Sequence, residues 1–259
     1  MILIRSTLFN ILFFGITAIF CIVFIPTLFF SRNVILWVTK LWLRMVYFLE
    51  KYVAGIDFEV RGKEHIPSDP SYIVAAKHQS AYETLKLYYL FGDPTIVLKK
   101  ELLNIPVFGV FLNKLDVIPI NRKNKEESIK SIIEGAERMK GQKRPIIIFP
   151  QGTRVSVQTS VQQRPYKGGI VKMYQNSDMP VVPLALNSGM FWARNSYIKK
   201  PGKVIFEFLP AIEQGLPEKK VMKALEDRLE AKTHELMIEA KRNYPYLEEP
   251  PKRDLLTVE

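Results

Sequence analysis

The stretch Tyr72-Ile-Val-Ala-Ala-Lys-His-Gln-Ser-Ala-Tyr-Glu83 passes abruptly from apolar to polar residues. The stretch Pro145-Ile-Ile-Ile-Phe-Pro-Gln-Gly-Thr-Arg154 has the same pattern further along the chain. Each apolar run is typical of a buried strand bounded by a turn. Reactive groups in open α/β sheets gather where the strands end. The sequence therefore predicts an α/β sheet with a functional site at the ends of these two strands.

The chain beyond residue 53 alternates short β-branched runs with polar, helix-like stretches. This alternation is typical of an α/β fold, and we expect a mixed, largely parallel sheet flanked by helices. Apolar residues recur at nearly helical spacing in the last helix, so one of its faces should pack on the sheet. The predicted strands are Phe58–Arg61, Tyr72–Ala76, Thr95–Leu98, Val117–Ile120, Ile146–Phe149, Val181–Leu186 and Val204–Phe208. The predicted helices are Ala81–Phe91, Pro106–Asn113, Lys125–Lys140, Gly168–Tyr174 and Lys219–Arg242.

The amino-terminal segment predicts membrane attachment. No charged residue occurs from Ser6 to Ser31, a length that could cross a bilayer as a helix. A secretory signal is the alternative, but its apolar region should be shorter and end in small residues, whereas Phe20-Cys21-Ile22-Val23 continues the apolar run. We therefore expect a hydrophobic helix that anchors the protein.

The following segment, Val34 to Leu49, predicts a second, amphipathic helix. Lys40 and Arg44 lie one helical turn apart, and two tryptophans add amphipathic rings, so this helix could lie in the membrane interface. It could equally pack on the globular domain, or form a re-entrant hairpin with the first helix. We predict membrane-anchoring helices over 1–52, a globular domain over 53–245 and a flexible tail over 246–259.

The composition limits the partners and cofactors. The formal net charge of +11 favours an anionic partner, for which nucleic acid, acidic lipid headgroups and a phosphorylated substrate all qualify. The basic residues are dispersed, without an aromatic ladder or a helix-turn-helix pattern, so we expect no nucleic acid. Cys21 is the single cysteine and the chain has three histidines. We therefore expect neither an intrachain disulfide nor a metal site.

His78 and Glu83 are candidates for a catalytic pair. In the functional interpretation, the carboxylate binds one imidazole nitrogen and fixes the tautomer, while the other nitrogen takes a proton from a substrate hydroxyl. A structural alternative is a capping box, in which Ser80 and Glu83 satisfy backbone amides at the start of the next helix. Both interpretations stay open at this point.

The Gly152-Thr153-Arg154 sequence is a candidate anion site. Gly152 permits a tight turn, Thr153 offers a hydroxyl and an amide, and Arg154 presents a planar fork of donors that matches a phosphate group. An arginine in a polar loop is often only solvated. The anion-site interpretation is favoured here because the same chain also contains the His78–Glu83 motif.

Together these motifs resemble the membrane glycerolipid acyltransferases that acylate lysophosphatidic acid, the 1-acylglycerol-3-phosphate acyltransferase family. The resemblance extends from about Phe58 to about Pro210 and includes blocks that occur in the order of the family. The blocks are His78 to Glu83, Val117 to Arg122, Phe149 to Arg154 and Val181 to Ala185, with similar connecting segments at Gly62–Pro67 and Lys99–Gly109.

The resemblance implies transfer of a fatty acyl group from acyl-coenzyme A or acyl carrier protein to the sn-2 hydroxyl of lysophosphatidic acid, which forms phosphatidic acid. It implies no metal or redox cofactor, and it implies contact with membrane phospholipids in a bacterial inner membrane, with the active site at the cytoplasmic face. His78 corresponds to the general base and Glu83 to its orienting acid. The residues that correspond to the acceptor site are Arg122, Gln151, Gly152, Thr153 and Arg154, with Lys100 as a further cation.

The chain departs from the family pattern at two positions. Glu83 stands where the family usually has aspartate, and Gln151 stands where it generally has glutamate. Because Gln151 removes a negative charge beside the expected phosphate site, another lysolipid or an acylated amine lipid is an alternative acceptor. A catalytically silent, basic lipid- or nucleic-acid-binding module is the alternative from another class.

Overall fold

The structure is a computed structural model that describes residues 1–252. Within these residues the helices are α1 (Ile2–Val23), α2 (Arg32–Phe48), α3 (Tyr82–Phe91), α4 (Phe108–Lys114), α5 (Lys125–Gly141), α6 (Gly169–Ser177), α7 (Ser188–Phe191) and α8 (Glu218–Asn243). The strands are β1 (Ile56–Arg61), β2 (Ile73–Ala76), β3 (Thr95–Lys99), β4 (Ile118–Ile120), β5 (Ile146–Ile148), β6 (Val181–Leu186) and β7 (Gly202–Phe208).

The strands form one sheet in the order β1-β7-β6-β2-β5-β3-β4. The neighbours from β6 to β4 pair in parallel, whereas β7 is antiparallel to β6 and parallel to β1. The predicted mixed, largely parallel sheet is confirmed. Strands β2 and β5 are direct neighbours, with Ala75 opposite Ile148. Their carboxyl ends therefore meet at the same edge of the sheet.

Both faces of the sheet are covered by helices. On β2, Val74 and Ala76 face the core that contains residues of α1, α2 and α3, while Ile73 and Ala75 face the core under α5, α6 and α8. Successive side chains of a strand point to opposite faces. Because both faces are buried, the central strands consist almost entirely of apolar residues.

The predicted elements after residue 53 all occur, and their boundaries differ by a few residues. The helix predicted from Pro106 begins at Phe108, because Val107 adopts the left-handed region with a φ of 61°. Helix α7, the single turn Ser188–Phe191, was not predicted. A helix of four residues is too short to show a helical period in the sequence.

The buried residues of helix α1 lie in its first half. Phe9 is fully buried, and its ring meets the Trp192 ring edge-on at 5.4 Å between centroids. The second half exposes Phe14, Ile19 and Ile22, each by more than half of its surface. Within residues 1–252, α1 is the one helix long and apolar enough to cross a membrane.

Helix α2 packs on the globular domain along one face, where Ile35 and Val46 are fully buried, and it leaves Trp37 exposed on the other. A π-helical turn, Leu49–Ala54, continues this helix past the boundary predicted at 52. The helical segment ends at Gly55, which has a left-handed φ of 79°.

The end of the domain also differs from the prediction of a flexible tail over 246–259. Leu247 and Pro251 are buried, and Gln158 Nε2 donates to the carbonyl oxygen of Glu249 at 2.7 Å. The packed structure therefore continues to Pro251, because Leu247 and Pro251 are buried and the Glu249 carbonyl group is hydrogen-bonded. The part of the predicted tail over 253–259 lies outside the described residues.

A buried ion pair joins the helical segment to the sheet domain. Glu50, in the π-helical turn, accepts a hydrogen bond from Lys86 of α3, and both side chains are buried. The Lys86 ammonium also lies 4.8 Å from the ring centroids of Tyr47 and Tyr82. Burial raises the pKa of Glu50 to about 7, although Lys86 acts in the opposite direction.

We predict that Lys86→Met lowers the stability by about 3–5 kcal/mol, because it leaves a buried carboxylate without its partner. The double variant Glu50→Gln with Lys86→Met should recover much of this loss, since neither residue is then charged. Thermal unfolding in mild detergent measures the effect. Lys130→Met, which removes an exposed pair with Glu134, is the control and should cost at most about 1 kcal/mol. Equal losses in Lys86→Met and the control would contradict the prediction.

Candidate active site

The turn between β2 and α3 holds His78 and Glu83 together. Glu83 lies in the first turn of α3, and its Oε1 atom is 2.8 Å from His78 Nδ1. The backbone amides of Gln79 and Ser80 donate to the same oxygen at 2.8 and 2.7 Å. An ionised carboxylate only accepts hydrogen bonds, so Nδ1 carries the imidazole proton. Nε2 is therefore the nitrogen with a free lone pair.

The helix-capping contacts and the contact with His78 occur together in this motif. Ser80 Oγ accepts from the Tyr82 amide at 3.1 Å, and Glu83 accepts from the Ser80 amide, as expected for residues that cap a helix. The same carboxylate also binds His78. The cap therefore fixes the position of the carboxylate, and the carboxylate fixes the tautomer of the imidazole.

Phe149 and Val155 connect this turn to the second motif. The Phe149 ring follows β5 directly and stacks on the His78 ring at 3.9 Å between centroids, with 16° between the ring planes. The Val155 amide donates to the His78 carbonyl oxygen at 2.8 Å. These contacts set the plane of the imidazole and place Arg154 next in the chain to a residue bonded to His78.

His78 and Arg154 line one cavity with a volume of about 1570 Å³. The cavity has a polar part at the strand ends and a long apolar part between the helices. The apolar part includes Phe13 and Phe20 of α1, Trp42 of α2, Leu85 of α3 and Phe111 and Leu112 of α4.

The polar part of the cavity carries unneutralised positive charge. Arg122, Lys125, Arg154 and Lys167 line it, and none of them forms an ion pair with a carboxylate of residues 1–252. Cations grouped without counterions repel one another, and a bound anion relieves this repulsion. The arrangement is suited to a phosphate group.

Gly152 lets this cluster form. Its φ of 67° lies in the left-handed region, and a Cβ atom would come within 3.2 Å of the Lys167 side chain. A larger residue would therefore strain the backbone and displace the lysine. Thr153 and Gly152, which the sequence analysis assigned to the acceptor site, both line the cavity.

Two residues predicted for the acceptor site lie outside the cavity lining. Lys100 follows β3 directly, is exposed and pairs with Glu127 at 2.8 Å. Gln151 is buried, and its Nε2 donates to the carbonyl oxygen of Arg164 at 3.1 Å. A glutamate there would have no proton for this bond, so Gln151 has a structural use within the loop.

The sequence analysis missed three residues of the site. Lys125 and Lys167 line the cavity, and Ser188 Oγ donates to Glu83 Oε2 at 2.6 Å. Asn187-Ser188-Gly189 follows the apolar strand β6 directly. This is the same signal, polar residues at a strand end, that identified the first two motifs.

A buried ion pair next to His78 connects the carboxyl end of β2 to α8. Lys77 pairs with Glu230 of α8, and Tyr166 donates to the same carboxylate oxygen at 2.7 Å. Burial lowers the pKa of Lys77, while Glu230 raises it. Tyr166 precedes Lys167, so the contact also fixes the start of the segment that carries this cation.

Comparisons with known proteins agree with this geometry. The Acyltransferase family model matches residues 57–187, which include His78, Arg122 and Arg154. The crystal structure of the 1-acyl-sn-glycerophosphate acyltransferase of Thermotoga maritima superposes with a TM-score of 0.71, covering 91% of this chain and 99% of that one. At 20% sequence identity, this match shows a common fold.

Two relatives found by sequence comparison have higher identities to this chain than the Thermotoga maritima enzyme has. The 1-acyl-sn-glycerol-3-phosphate acyltransferase of Pseudomonas aeruginosa is 34% identical over 202 residues, which are 78% of this chain and 77% of the relative. The enzyme of the same name from Saccharomyces cerevisiae is 30% identical over 178 residues, which are 68% of this chain and 55% of the relative. The chain therefore belongs to the acyltransferase family that contains the 1-acyl-sn-glycerol-3-phosphate acyltransferases.

Proposed function

We propose that this protein transfers a fatty acyl group from a thioester to the sn-2 hydroxyl of lysophosphatidic acid, forming phosphatidic acid. One observation carries the proposal: a carboxylate-bound imidazole, several cations without a carboxylate partner among residues 1–252, and a long apolar space share a single cavity. These three parts suit the hydroxyl, the phosphate and the acyl chains of the substrates. The acyl donor is acyl-coenzyme A or acyl carrier protein.

The reaction follows from the protonation state of the imidazole. His78 Nε2 accepts the hydroxyl proton while the substrate oxygen attacks the thioester carbonyl carbon. The carbonyl group then re-forms, the carbon–sulfur bond breaks, and the leaving thiolate takes the proton from the imidazolium. Glu83 stabilises the imidazolium between these steps, because its negative charge lies 2.8 Å from Nδ1.

The cation cluster supports a phosphorylated acceptor. Arg122, Lys125, Arg154 and Lys167 surround the polar part of the cavity, and α6 begins there at Gly169. The amino terminus of a helix adds partial positive charge and free amides. A phosphate monoester bound by these groups would hold the rest of the acceptor beside His78.

Membrane attachment follows from α1 and is part of the proposal. The exposed second half of α1 is apolar, and Phe13 and Phe20 of the same helix line the cavity. A lipid substrate could thus pass from the bilayer into the cavity along one helix. We propose a bacterial inner membrane, with the site at the cytoplasmic face where acyl thioesters are available.

Gln151 remains the reason to consider another lysolipid or an acylated amine lipid as acceptor. Its burial and its bond to the Arg164 carbonyl favour a role in the loop, and therefore favour lysophosphatidic acid. A purified preparation offered both donor classes and a panel of lysolipids tests the choice. Failure of lysophosphatidic acid to react, with transfer to another acceptor, would reverse it.

We predict that His78→Ala lowers kcat by about 10²- to 10⁴-fold, because the attacking hydroxyl loses its base. Unfolding temperature and vesicle binding should stay close to wild type. His65→Ala is the matched control, since His65 lies in a short helical turn outside the cavity lining. Turnover of His78→Ala at the wild-type rate would refute the assignment.

We predict that Arg154→Ala weakens acceptor binding by ~1.5–3 kcal/mol, the value of a charge-assisted hydrogen bond. The KM for lysophosphatidic acid should rise more than the KM for the donor. Arg164→Ala, in the same loop but outside the cavity lining, should change neither constant. An increase confined to the donor KM would count against phosphate binding by Arg154.

We predict that Ile19→Asp combined with Ile22→Asp abolishes co-sedimentation with phosphatidylethanolamine–phosphatidylglycerol vesicles. An aspartate costs about 2.5–3.5 kcal/mol at the centre of a membrane helix and less toward its end, so two are combined here. Both positions are exposed, so folding should not change. Ile238→Asp, an exposed isoleucine of α8, is the control. Undiminished binding of the double variant would exclude α1 as the anchor.

A further inference from the structure

Glu83 accepts hydrogen bonds on both carboxylate oxygens, and the two oxygens differ in their partners. Oε1 accepts from His78 Nδ1 and from the amides of Gln79 and Ser80. Within residues 1–252, Oε2 is bonded to one group, the Ser188 hydroxyl, at 2.6 Å. The Glu83 and Ser188 side chains are both fully buried. Water therefore does not reach Oε2 to replace the hydroxyl.

Ser188 is itself held in place by its two neighbours. Asn187 Oδ1 accepts from the Ile205 amide of β7 at 2.9 Å, and its Nδ2 donates to the Leu236 carbonyl oxygen of α8 at 3.1 Å. The Gly189 amide donates to Gln79 Oε1 at 3.1 Å. Three consecutive residues at the end of β6 are thus bonded to the sheet, to α8 and to the turn that carries His78.

Gly189 also has no room for a side chain. A Cβ atom there would lie 2.8 Å from Val157 Cγ1 and 2.9 Å from Gln79 Cβ. The residues that follow β6 therefore pack directly against the turn that carries His78. This approach brings Ser188 within hydrogen-bond distance of a carboxylate that lies 105 residues earlier in the chain.

We propose that Ser188 is a positioning residue for the reaction, and that it acts through Glu83. Its hydroxyl fixes the rotation of the carboxylate, so that Oε1 faces His78 Nδ1 and the imidazole keeps the proton on that nitrogen. Without the hydroxyl, Oε2 is a buried acceptor without a donor, which favours rotation or protonation of the carboxyl group. Either change weakens the hydrogen bond between Glu83 and His78 Nδ1, and with it the preference for the tautomer that the proposed base requires.

The extra methylene of Glu83 gives this bond its importance. A glutamate has one more rotatable bond than an aspartate, so its carboxylate has more orientations to lose. The two backbone amides and the imidazole all bind Oε1 and do not restrain Oε2. Ser188 supplies the restraint on the second oxygen.

The kinetic test rests on the proposed function. We expect Ser188→Ala to lower kcat by ~10-fold or more, the range for loss of a partner that orients a functional group, while both Michaelis constants stay near wild type. In a Glu83→Gln background, Ser188→Ala should add little further loss, because the carboxylate through which it acts is gone. A loss of equal size in both backgrounds would overturn the proposal.

Ser177→Ala is the matched control. Ser177 is a buried serine of α6, and its hydroxyl oxygen has no hydrogen-bond partner in the described part of the chain. Its kcat should not change. If Ser177→Ala and Ser188→Ala lower kcat equally, the effect comes from loss of a buried hydroxyl and the proposal is wrong.

A second measurement does not depend on turnover. The chain has three histidines, so a sample labelled with nitrogen-15 in histidine gives few imidazole signals, and His78→Ala assigns those of His78. We expect wild-type protein in detergent to show His78 protonated at Nδ1, and Ser188→Ala to show a mixture of tautomers or imidazolium. Identical spectra would overturn the proposal. Should wild-type protein fail to acylate lysophosphatidic acid, the proposed function fails while these spectra still test Ser188.

Discussion

The Glu83 carboxylate is the group on which the site depends. It accepts from the imidazole, from two backbone amides and from one hydroxyl, although it is fully buried. A buried charge is tolerated only when its hydrogen bonds are complete. The same bonds lie at the start of helix α3, orient the His78 imidazole and connect the ends of β2 and β6. The contacts that stabilise this edge of the sheet therefore also orient the imidazole.

The parallel sheet brings these hydrogen-bonding groups together. Strands β5, β2 and β6 are adjacent and parallel, so their polar carboxyl-terminal residues share one edge. Each strand contributes a different group: β2 leads to His78, β5 to Phe149 and the Arg154 loop, and β6 to Ser188. Ligands of open α/β sheets bind at this edge for the same reason.

The cavity combines two environments that suit an amphiphile. Its polar part carries cations without carboxylate partners among residues 1–252, and its apolar part lies between α1, α2, α3 and α4. A phosphate and a hydrocarbon chain each prefer a different one of these environments. The helical segment is joined to the domain by the buried Glu50–Lys86 pair and by the Arg32–Asp93 pair, whose two hydrogen bonds measure 2.8 and 2.5 Å.

The sequence alone determined the strands, most helices and the hydrophobic first helix, because apolar period, capping residues and strand-end polarity are local properties. It predicted the pairing of His78 with Glu83 as one of two interpretations. It also predicted Arg122, Gly152, Thr153 and Arg154 for the acceptor site, and these four residues line the cavity. Tertiary structure decided which cations meet: it turned Lys100 outward, buried Gln151 and brought in Lys125 and Lys167. It also brought Ser188 to Glu83, 105 residues away. Contacts between distant residues depend on strand order, which a single sequence does not encode in any local pattern.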